Sequence, residues 1–302
     1  MKTQNFPLVS IIIPTYNNSS VVCQAIDCAL KQTYENREII VIDDGSTDHT
    51  GAMLEERYKG RIIYIRQDNK GPGSARNKGI SYASGKYLQF LDADDLLAPD
   101  KIRIQVSSLH GIRDKALSYC DYARCDVNDI TVTYRRTSPV LQNENPFDDI
   151  LTKWENEISI PSHCFIFDAA FFKECGIAFD ETLRANEDWE CWMNVFALNP
   201  RVVYIDKVLA YYRVRKNSRC SNRLDMRKSY LMAIDKQIQK HRLDKEIVRK
   251  LARRRKQVQK SFRDVAPLKM FVRDMLRRST WGTKLLDTRR KSLHRKVKGI
   301  FT

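Results

Sequence analysis

The acidic run Asp92-Ala93-Asp94-Asp95 directly follows an apolar segment, Lys86 to Leu91. Carboxylates at the end of a buried strand are costly unless a cation shares their charge. A hard divalent ion such as Mg²⁺ or Mn²⁺ is the usual occupant, because it takes oxygen ligands and keeps open positions for a substrate's phosphates. The run therefore predicts an enzyme that handles a phosphorylated, nucleotide-linked substrate. The alternative is a solvated acidic turn without chemistry.

Two more polar clusters follow apolar, β-branched segments. Leu8–Ile13 is followed by Pro14–Asn17, and Glu38–Ile42 is followed by Asp43–Ser46. In parallel sheets ligands bind beyond the carboxyl ends of the strands. Three polar clusters at three strand ends therefore indicate one shared site.

The elements that must position these clusters alternate along the first hundred residues. The pattern predicts strands at 8–13, 38–42, 61–65 and 86–91, and helices at 21–30, 48–58 and 73–83, the first capped by Ser19 or Ser20. This alternation is typical of an α/β fold with a mostly parallel sheet and helices on both faces. Farther along, short mixed strands are expected at 117–133, 161–167, 202–205 and 209–214, with a helix at 186–198.

Charge divides the 302-residue chain into two parts. The net charge is +16, but residues 225–302 carry 25 Lys/Arg against 7 Asp/Glu, or +18, which leaves residues 1–224 at −2. We therefore expect a globular domain at 1–224 and a basic helical extension at 225–302, interrupted at Pro267 and Gly282. Within the extension apolar residues recur among the basic ones from Leu243 to Leu276, which is typical of a helix that lies on an anionic membrane surface. Packing of these helices on the first domain is the alternative.

The eight cysteines form no CxxC pair and no zinc-site spacing, which indicates a reducing compartment. There is no N-terminal apolar stretch of signal-peptide type and no run long enough to span a bilayer. The sequence thus predicts a cytoplasmic protein, with peripheral attachment to the inner face of the cell membrane left open by the basic extension.

Six motifs occur in an order that resembles family 2 glycosyltransferases of the GT-A fold. They are Val9–Asn17, Val41–Asp48, Gly73–Asn77, Leu91–Asp95, Asn186–Glu190 and Tyr212–Ser218. The resemblance implies a donor half at 1–110 and an acceptor half at 111–224. Each motif alone is weak, and their specificity lies in the ordered set.

On the donor side the resemblance implies base recognition by Asp44 and metal binding by Asp94. Asp92 would support the ribose or the metal, so the expected cofactor is Mg²⁺ or Mn²⁺. Tyr16 would stack on the base, with Thr15 at the polar rim of the site. The alternatives are a helix-capping role for Asp43 and Asp44, and a core position for Tyr16. Asp95 is expected to cap the following helix.

Two arginines are assigned to the donor as well. Arg76 could reach phosphate or a neighbouring carboxylate, and a plain structural ion pair is the alternative. Arg215 stands where many relatives carry histidine. Arginine cannot ligate a metal but binds phosphate, so a clamp on the diphosphate is the expected role. His163 lies in a segment that offers it no supporting context as a ligand.

On the acceptor side the resemblance makes Asp188 the catalytic base, which would deprotonate the acceptor hydroxyl that attacks the anomeric carbon in line. Glu187 would orient the site or contact the acceptor. The alternative is an ordinary acidic first turn that favours the helix dipole, with Trp189 and Trp192 in the core.

The resemblance implies an inverting, metal-dependent transferase that moves a single sugar from a nucleotide sugar to a hydroxyl of a saccharide or lipid-linked acceptor. UDP is the expected nucleotide, and cell-surface polysaccharide or glycolipid synthesis is the expected setting. The Gln-x-x-Arg-Trp signature of the processive synthases is absent. The competing hypothesis is a non-catalytic membrane- or nucleic-acid-binding protein that acts through its basic tail. Nucleic acid is not expected as a partner, since the tail has few aromatics and no recognisable module.

Overall fold

The computed structural model describes residues 6–126, 133–141, 144–215 and 223–263. Strands and helices alternate through the first hundred residues, as the sequence predicts. The strands are β1 (Val9–Thr15), β2 (Arg37–Asp43), β3 (Ile63–Arg66), β4 (Tyr87–Phe90), β5 (Leu96–Leu97), β6 (Ala116–Asp126), β7 (Thr133–Thr137), β8 (Phe165–Asp168) and β9 (Arg201–Val214). The helices are α1 (Val22–Leu30), α2 (Thr50–Tyr58), α3 (Pro72–Tyr82), α4 (Lys101–Ser108), α5 (Pro146–Lys153), α6 (Ala170–Lys173), α7 (Glu187–Phe196), α8 (Arg223–Lys240) and α9 (Lys245–Arg263).

One sheet with the order β3-β2-β1-β4-β8-β6-β9-β5 runs through the molecule, and β7 pairs with β6 at its side. The first four strands in this order are mutually parallel. Strand β8 is antiparallel to both β4 and β6, whereas β6 and β9 are parallel. The α/β fold is thus confirmed, with the parallel arrangement concentrated in the first half.

Strand β1 is buried on both faces because its side chains alternate between two helical layers. Ile11 and Ile13 belong to the core cluster that also contains the buried face of α1. Ile12 points the other way, against Gly79 of α3. A continuous apolar run is what a strand covered on both faces requires. Pro14 still fits in β1, because it lies beyond Ile12, where the pairing with β4 ends.

The second half differs from the predicted elements in two places. Residues 201–214 form one continuous strand, β9, instead of two, with irregular register opposite Cys120, Asp121 and Tyr122 of β6. Only the end of the predicted strand at 161–167 is extended, because Ser162–Cys164 form a 3₁₀ turn before β8.

In the first half, the predicted cap of α1 by Ser19 or Ser20 is wrong, since Val21 occupies the N-cap position.

Helix α8 packs against the preceding domain. Ser229 Oγ donates to Ala185 O at 2.6 Å, and Gln237 Nε2 donates to Glu190 Oε1 at 2.7 Å. In the first half of α9, Arg254 is buried and donates to the backbone oxygen of Trp154. The compact unit accordingly runs to Arg254, beyond the boundary after residue 224 that the charge distribution predicts, and Arg255–Thr302 form a second unit.

The extension is broken earlier than the sequence predicts. Helix α8 ends at Lys240, and a turn precedes α9, where the backbone N–H of Asp244 donates to His241 O at 2.8 Å. The expected interruptions at Pro267 and Gly282 lie outside the described residues. Among the helices that the structure describes, none is both long and apolar enough to cross a bilayer.

We predict that Gly79→Ala destabilises the protein by roughly 1–3 kcal/mol. A Cβ at this position would meet Ile12 Cγ2 at 2.3 Å, and the buried, β-branched Ile12 has little room to move. This overpacking should exceed the gain of up to about 1 kcal/mol that alanine usually brings to a helix. Urea unfolding measures the effect. Lys78→Ala, at an exposed position of the same helix, is the control and should stay within ~0.5 kcal/mol; a stabilised Gly79→Ala variant would contradict the packing argument.

Candidate active site

The turn after β2 holds two buried carboxylates with different partners. Asp43 accepts from the backbone N–H of Ser46 at 2.8 Å and from the hydroxyl of Tyr64 at 2.9 Å. Asp44 accepts from the loop that leads to α3: from Gln67 Nε2 at 2.8 Å and from the backbone N–H groups of Lys70 and Gly71 at 3.0 and 2.8 Å. Neither caps α2, whose N-cap is His49. The capping alternative is therefore wrong, and base recognition by Asp44 stays a prediction.

Glycine is required in the turn beside Asp44. Gly45 has φ +78°, and a Cβ there would lie 2.8 Å from the backbone nitrogen of Asn69. The loop before α3 thus lies directly on the turn after β2. Asp44 and Gly45 together hold that loop at the end of the sheet.

The two residues at the end of β1 differ in exposure. Tyr16 is 42% exposed, which excludes the core position and leaves its ring free to contact a ligand. Thr15 is buried instead of lying at a rim, and its Oγ1 has no hydrogen-bond partner among the described residues. Their roles in donor binding stay predictions.

The turn after β4 contacts β9 and the 3₁₀ turn at Ser162–Cys164. The backbone N–H of Arg213 donates to Asp95 Oδ1 at 2.8 Å, and Arg213 Nε donates to Asp94 O. His163 Nδ1 lies 3.1 Å from Asp95 Oδ2, and both residues are buried. Asp95 therefore does not cap the next helix, whose N-cap is Asp100. The expectation that His163 lacks context is likewise wrong.

Asp94 lies at the open side of this turn. Burial, and after it the neighbouring Asp95 and Asp92 carboxylates, raise its pKa to about 6, whereas Arg215 lowers it. Arg215 Nη1 lies 3.5 Å from Asp94 Oδ2 and donates to Asn18 Oδ1 at 2.8 Å. Arg215 thus contacts the predicted metal ligand itself.

The residues of this turn suit a divalent cation. Ligand atoms of Asp92, Asp95 and His163 all lie within 4.8 Å of one another. His163 is fully buried, and its Nε2 has no partner in the part of the chain that the structure describes. Burial and the carboxylates of Asp95 and Asp92 raise the pKa of Asp94, so a cation at this turn would favour its charged form. Carboxylate oxygens and an imidazole are ligands for Mg²⁺, Mn²⁺ or Zn²⁺, so the cluster fits the group that the sequence predicts.

Arg76 joins the donor-side turn to the acceptor-side helix. Its Nη2 donates to Asp92 Oδ1 and its Nη1 to Glu187 Oε1, both at 2.7 Å. The side chain is 5% exposed and lies over the ring of Phe179 at 5.3 Å. A buried guanidinium with two carboxylates is a charge-assisted arrangement that fixes all three groups. Contact of Arg76 with the donor stays a prediction.

Helix α7 begins with Glu187 and Asp188, after Asn186 in a left-handed conformation (φ 58°) that asparagine tolerates. Asp188 is partly exposed, and its Oδ1 accepts from the backbone N–H of Trp189 at 2.7 Å. Burial and the charge of Glu187 raise the pKa of Asp188 to about 7, whereas Arg76 lowers it. A carboxyl group that titrates near neutral pH can take up a proton and release it again. Trp189 and Trp192 lie in the core, where the alternative interpretation of this helix places them.

The structure therefore brings together Asp92, Asp94, Arg215, Arg76, Glu187 and Asp188 through direct contacts or short-range charge interactions. Sequence reasoning missed His163 and Arg213. The signal for Arg213 was its place beside Tyr212 in a motif already noted. His163 gave no such signal, because its partner Asp95 lies in the turn after β4, far from it in sequence.

The family model for Glycosyl transferase family 2 matches residues 10–176 of this chain. The curated relatives include an uncharacterised glycosyltransferase of Rickettsia bellii, which is 36% identical over 68% of this chain and 29% of its own length. A second one, from Rickettsia typhi, is 34% identical over 74% of this chain and 69% of its own length. The chain thus spans less than a third of the first relative and about two thirds of the second.

Solved structures share the fold at lower identity. S. aureus TarS 1-349 in complex with UDP-GlcNAc superposes with a TM-score of 0.60 at 21% identity and covers 76% of this chain and 66% of its own. The mannosyltransferase PcManGT from Pyrobaculum calidifontis in complex with GDP-Man and Mn²⁺ gives 0.58 at 18% identity, over 78% and 65%. These likenesses confirm the GT-A type of fold. The family model and the curated relatives go further: the chain belongs to glycosyl transferase family 2.

Proposed function

We propose that this protein is an inverting glycosyltransferase that moves a single sugar from a UDP-sugar to a hydroxyl of a saccharide or lipid-linked acceptor. Asp188 serves as the base, and a divalent cation assists at the donor diphosphate. The setting that we propose is the synthesis of a cell-surface polysaccharide or glycolipid.

One observation carries the proposal: the bridge through Arg76 that links Asp92 to Glu187. It puts the first turn of α7 next to the acidic turn after β4, so the pKa of Asp188 responds to Asp92 as well as to Glu187. A base beside the predicted diphosphate site is what direct transfer to an acceptor hydroxyl requires, because the two reacting groups must meet in line. A scaffold that acts only through its basic tail needs no such arrangement.

Donor binding is assigned to the polar clusters at the strand ends. Asp44 accepts from a base N–H, Tyr16 stacks on the ring, and Arg215 contacts the diphosphate. Asp92 and Asp94 hold the cation, which when bound neutralises charge on the departing nucleoside diphosphate. UDP-GlcNAc and GDP-Man in the solved neighbours are both compatible with this assignment, so the base needs a direct test.

Asp188 takes the proton from the acceptor hydroxyl at one of its carboxylate oxygens. Its backbone hydrogen bond with Trp189 fixes the carboxylate, and burial together with the neighbouring Glu187 keeps the pKa high enough for proton transfer near neutral pH. The attacking oxygen and the departing diphosphate then lie on opposite sides of the anomeric carbon, and the configuration inverts.

A second proposal concerns the basic extension. Lys245, Arg249 and Arg253 of α9 are exposed along one side of the helix, and we name them the basic stripe. Leu251 and Arg254 on the other side are buried. Leu251 is thus already packed, and Ile247 and Val248 are half-buried. We propose that the stripe attracts an anionic membrane surface by charge and that insertion of α9 is not needed.

We predict that UDP with Mn²⁺ stabilises the protein more than GDP or dTDP does. At about 100 times the dissociation constant the gain is about 2.7 kcal/mol, or roughly 5–10 °C in melting temperature. A thermal melt with each nucleotide, with and without the ion, measures this. Asp44→Asn should lose most of the shift, whereas Asp68→Asn, at an exposed position of the neighbouring loop, should keep it. A larger shift with GDP would assign another base, and no shift with any nucleotide would contradict donor binding.

We predict that Asp94→Asn lowers the affinity for Mn²⁺ in the presence of UDP by about 100-fold or more, because a carboxylate ligand is lost. His163→Gln, which removes the imidazole behind Asp95, should lower it by ~10-fold or less, as expected of a residue that supports a ligand. Electron paramagnetic resonance of free Mn²⁺ measures both. A larger loss of Mn²⁺ affinity in His163→Gln than in Asp94→Asn would place the ion among Asp92, Asp95 and His163 instead.

We predict that kcat/KM for the acceptor rises about tenfold per pH unit on an acid limb at or below pH 7 and then levels off. The pKa of Asp188 is about 7, only its carboxylate form accepts a proton, and a bound cation favours that form. Steady-state rates at saturating donor measure the profile. Asp188→Asn should lower the plateau by ~10²–10⁴-fold with donor binding unchanged. Glu174→Gln, which changes an exposed carboxylate in the second half of the chain, should change neither the plateau of kcat/KM nor donor binding.

We predict that reversing the basic stripe (K245E/R249E/R253E) weakens binding to anionic liposomes by on the order of 100-fold or more, since each basic residue near the surface contributes about 1 kcal/mol. Co-sedimentation with vesicles that contain phosphatidylserine measures this, with neutral vesicles as the baseline. The matched control is K31E/K59E/R113E, a reversal of three exposed charges outside α9. Equal binding of the two triple variants would contradict the proposal.

A further inference from the structure

Arg76 donates hydrogen bonds to both Asp92 and Glu187. We propose that Arg76 is a positioning residue for the proposed transfer: it sets where the base stands relative to the donor site and does not itself contact the donor. This inference rests on the proposed function and adds a role for one of its residues.

The hydrogen bonds of Arg76 leave little for a diphosphate. Both terminal nitrogens already donate to carboxylates at 2.7 Å, and the side chain is 5% exposed. Phe179 lies against the guanidinium at 5.3 Å. Only Nε has no partner among the described residues, and it is buried as well. Each terminal nitrogen also carries a second N–H, but the side chain is enclosed by Asp92, Glu187 and Phe179. A phosphate oxygen could therefore reach it only by displacing one of these groups, and a displaced carboxylate would leave a buried charge unpaired.

The first turn of α7 depends on a contact from outside the helix. Its N-cap residue, Asn186, makes no side-chain cap to the helix and donates instead to Glu155 Oε1 at 2.9 Å. Glu187 is held by Arg76, which lies 111 positions earlier in the sequence. Because Asp188 is the next residue, the place of its carboxylate follows from that of Glu187. Arg76 therefore ties the proton acceptor to the turn that carries Asp92.

The charge of Arg76 matters as much as its shape. Four groups face Asp188. Two are carboxylates, Glu187 of the same helix and Asp92 of the turn after β4. The other two are Arg76 of α3 and Tyr230 of α8. Arg76 is the cation in this set, so it favours the carboxylate form of Asp188 that can accept a proton. Arginine can bridge two carboxylates with a planar fork, whereas lysine offers a single charged point.

Two substitutions separate position from charge. Arg76→Lys keeps a cation but cannot bridge the two carboxylates, so kcat should fall by on the order of 100-fold with the acid limb of the pH profile unmoved. Arg76→Gln removes the charge, so the same limb should move up by ~1 pH unit or more, in addition to the fall in kcat. In both variants the dissociation constant of UDP alone, measured by calorimetry without the ion that Asp92 is proposed to hold, should stay within about threefold of the unmodified protein. Lys78→Gln, an exposed cation of the same helix, should leave all three quantities unchanged.

Other results would overturn the proposal. Loss of nucleotide affinity by tenfold or more in Arg76→Lys would make Arg76 a donor contact. Unchanged kcat in that variant would remove the positioning role. An unmoved acid limb in Arg76→Gln would leave only a structural ion pair. If Arg76→Gln does not fold, Arg76→Lys alone decides through its kcat and its nucleotide affinity.

Failure of the proposed function has a different signature. In that case the unmodified protein transfers no sugar from any nucleotide sugar, or Asp188→Asn keeps full activity. The positioning role fails by itself when the unmodified protein is active, Asp188→Asn is not, and one of the overturning results for the Arg76 variants is found.

Discussion

Charge compensation at the carboxyl end of the parallel strands is the constraint on which the rest of this structure depends. Five carboxylates meet there within one small region: Asp92, Asp94, Asp95, Glu187 and Asp188. Three arginines from different elements share this charge: Arg76, Arg213 and Arg215. Even so, the pKa values of Asp94 and Asp188 remain raised, to about 6 and about 7. Burial is the first cause of both shifts and the neighbouring carboxylates add to it, so a divalent cation would favour the charged forms. Asp188 also titrates in the range useful for proton transfer.

The sheet makes this crowding of charge possible because it holds the strand ends rigidly. Strand β1 is buried on both faces, and Gly79 allows α3 to approach Ile12 closely enough to carry Arg76 over the end of β4. The turn after β4 is held from the other side by Arg213 of β9. The two halves of the molecule therefore meet at the acidic turn. A charged group in such a network cannot move far without leaving another buried charge unpaired.

The helices after residue 222 belong partly to the catalytic unit. Tyr230 of α8 packs edge-on against Trp189 at 4.9 Å, one residue after Asp188, and Arg254 of α9 lies over Tyr230. These contacts support the helix that carries the proposed base. The basic residues of α9 that remain exposed are then available for a different task, so one helix combines a structural side and a charged side.

The sequence by itself determined the elements of the first half and the residue types at their ends. Apolar runs and turn residues are local signals, so the strand ends that carry Asp44 and Asp94 and the helix start that carries Asp188 were predictable to within a few residues. The tertiary structure decided which of these groups are partners. Arg76 bonds with Glu187 across 111 positions, His163 lies against Asp95, and residues 201–214 form one strand because β6 continues beside them. Such pairings follow from the order β4-β8-β6-β9, which joins segments distant in sequence and leaves no trace in local periodicity.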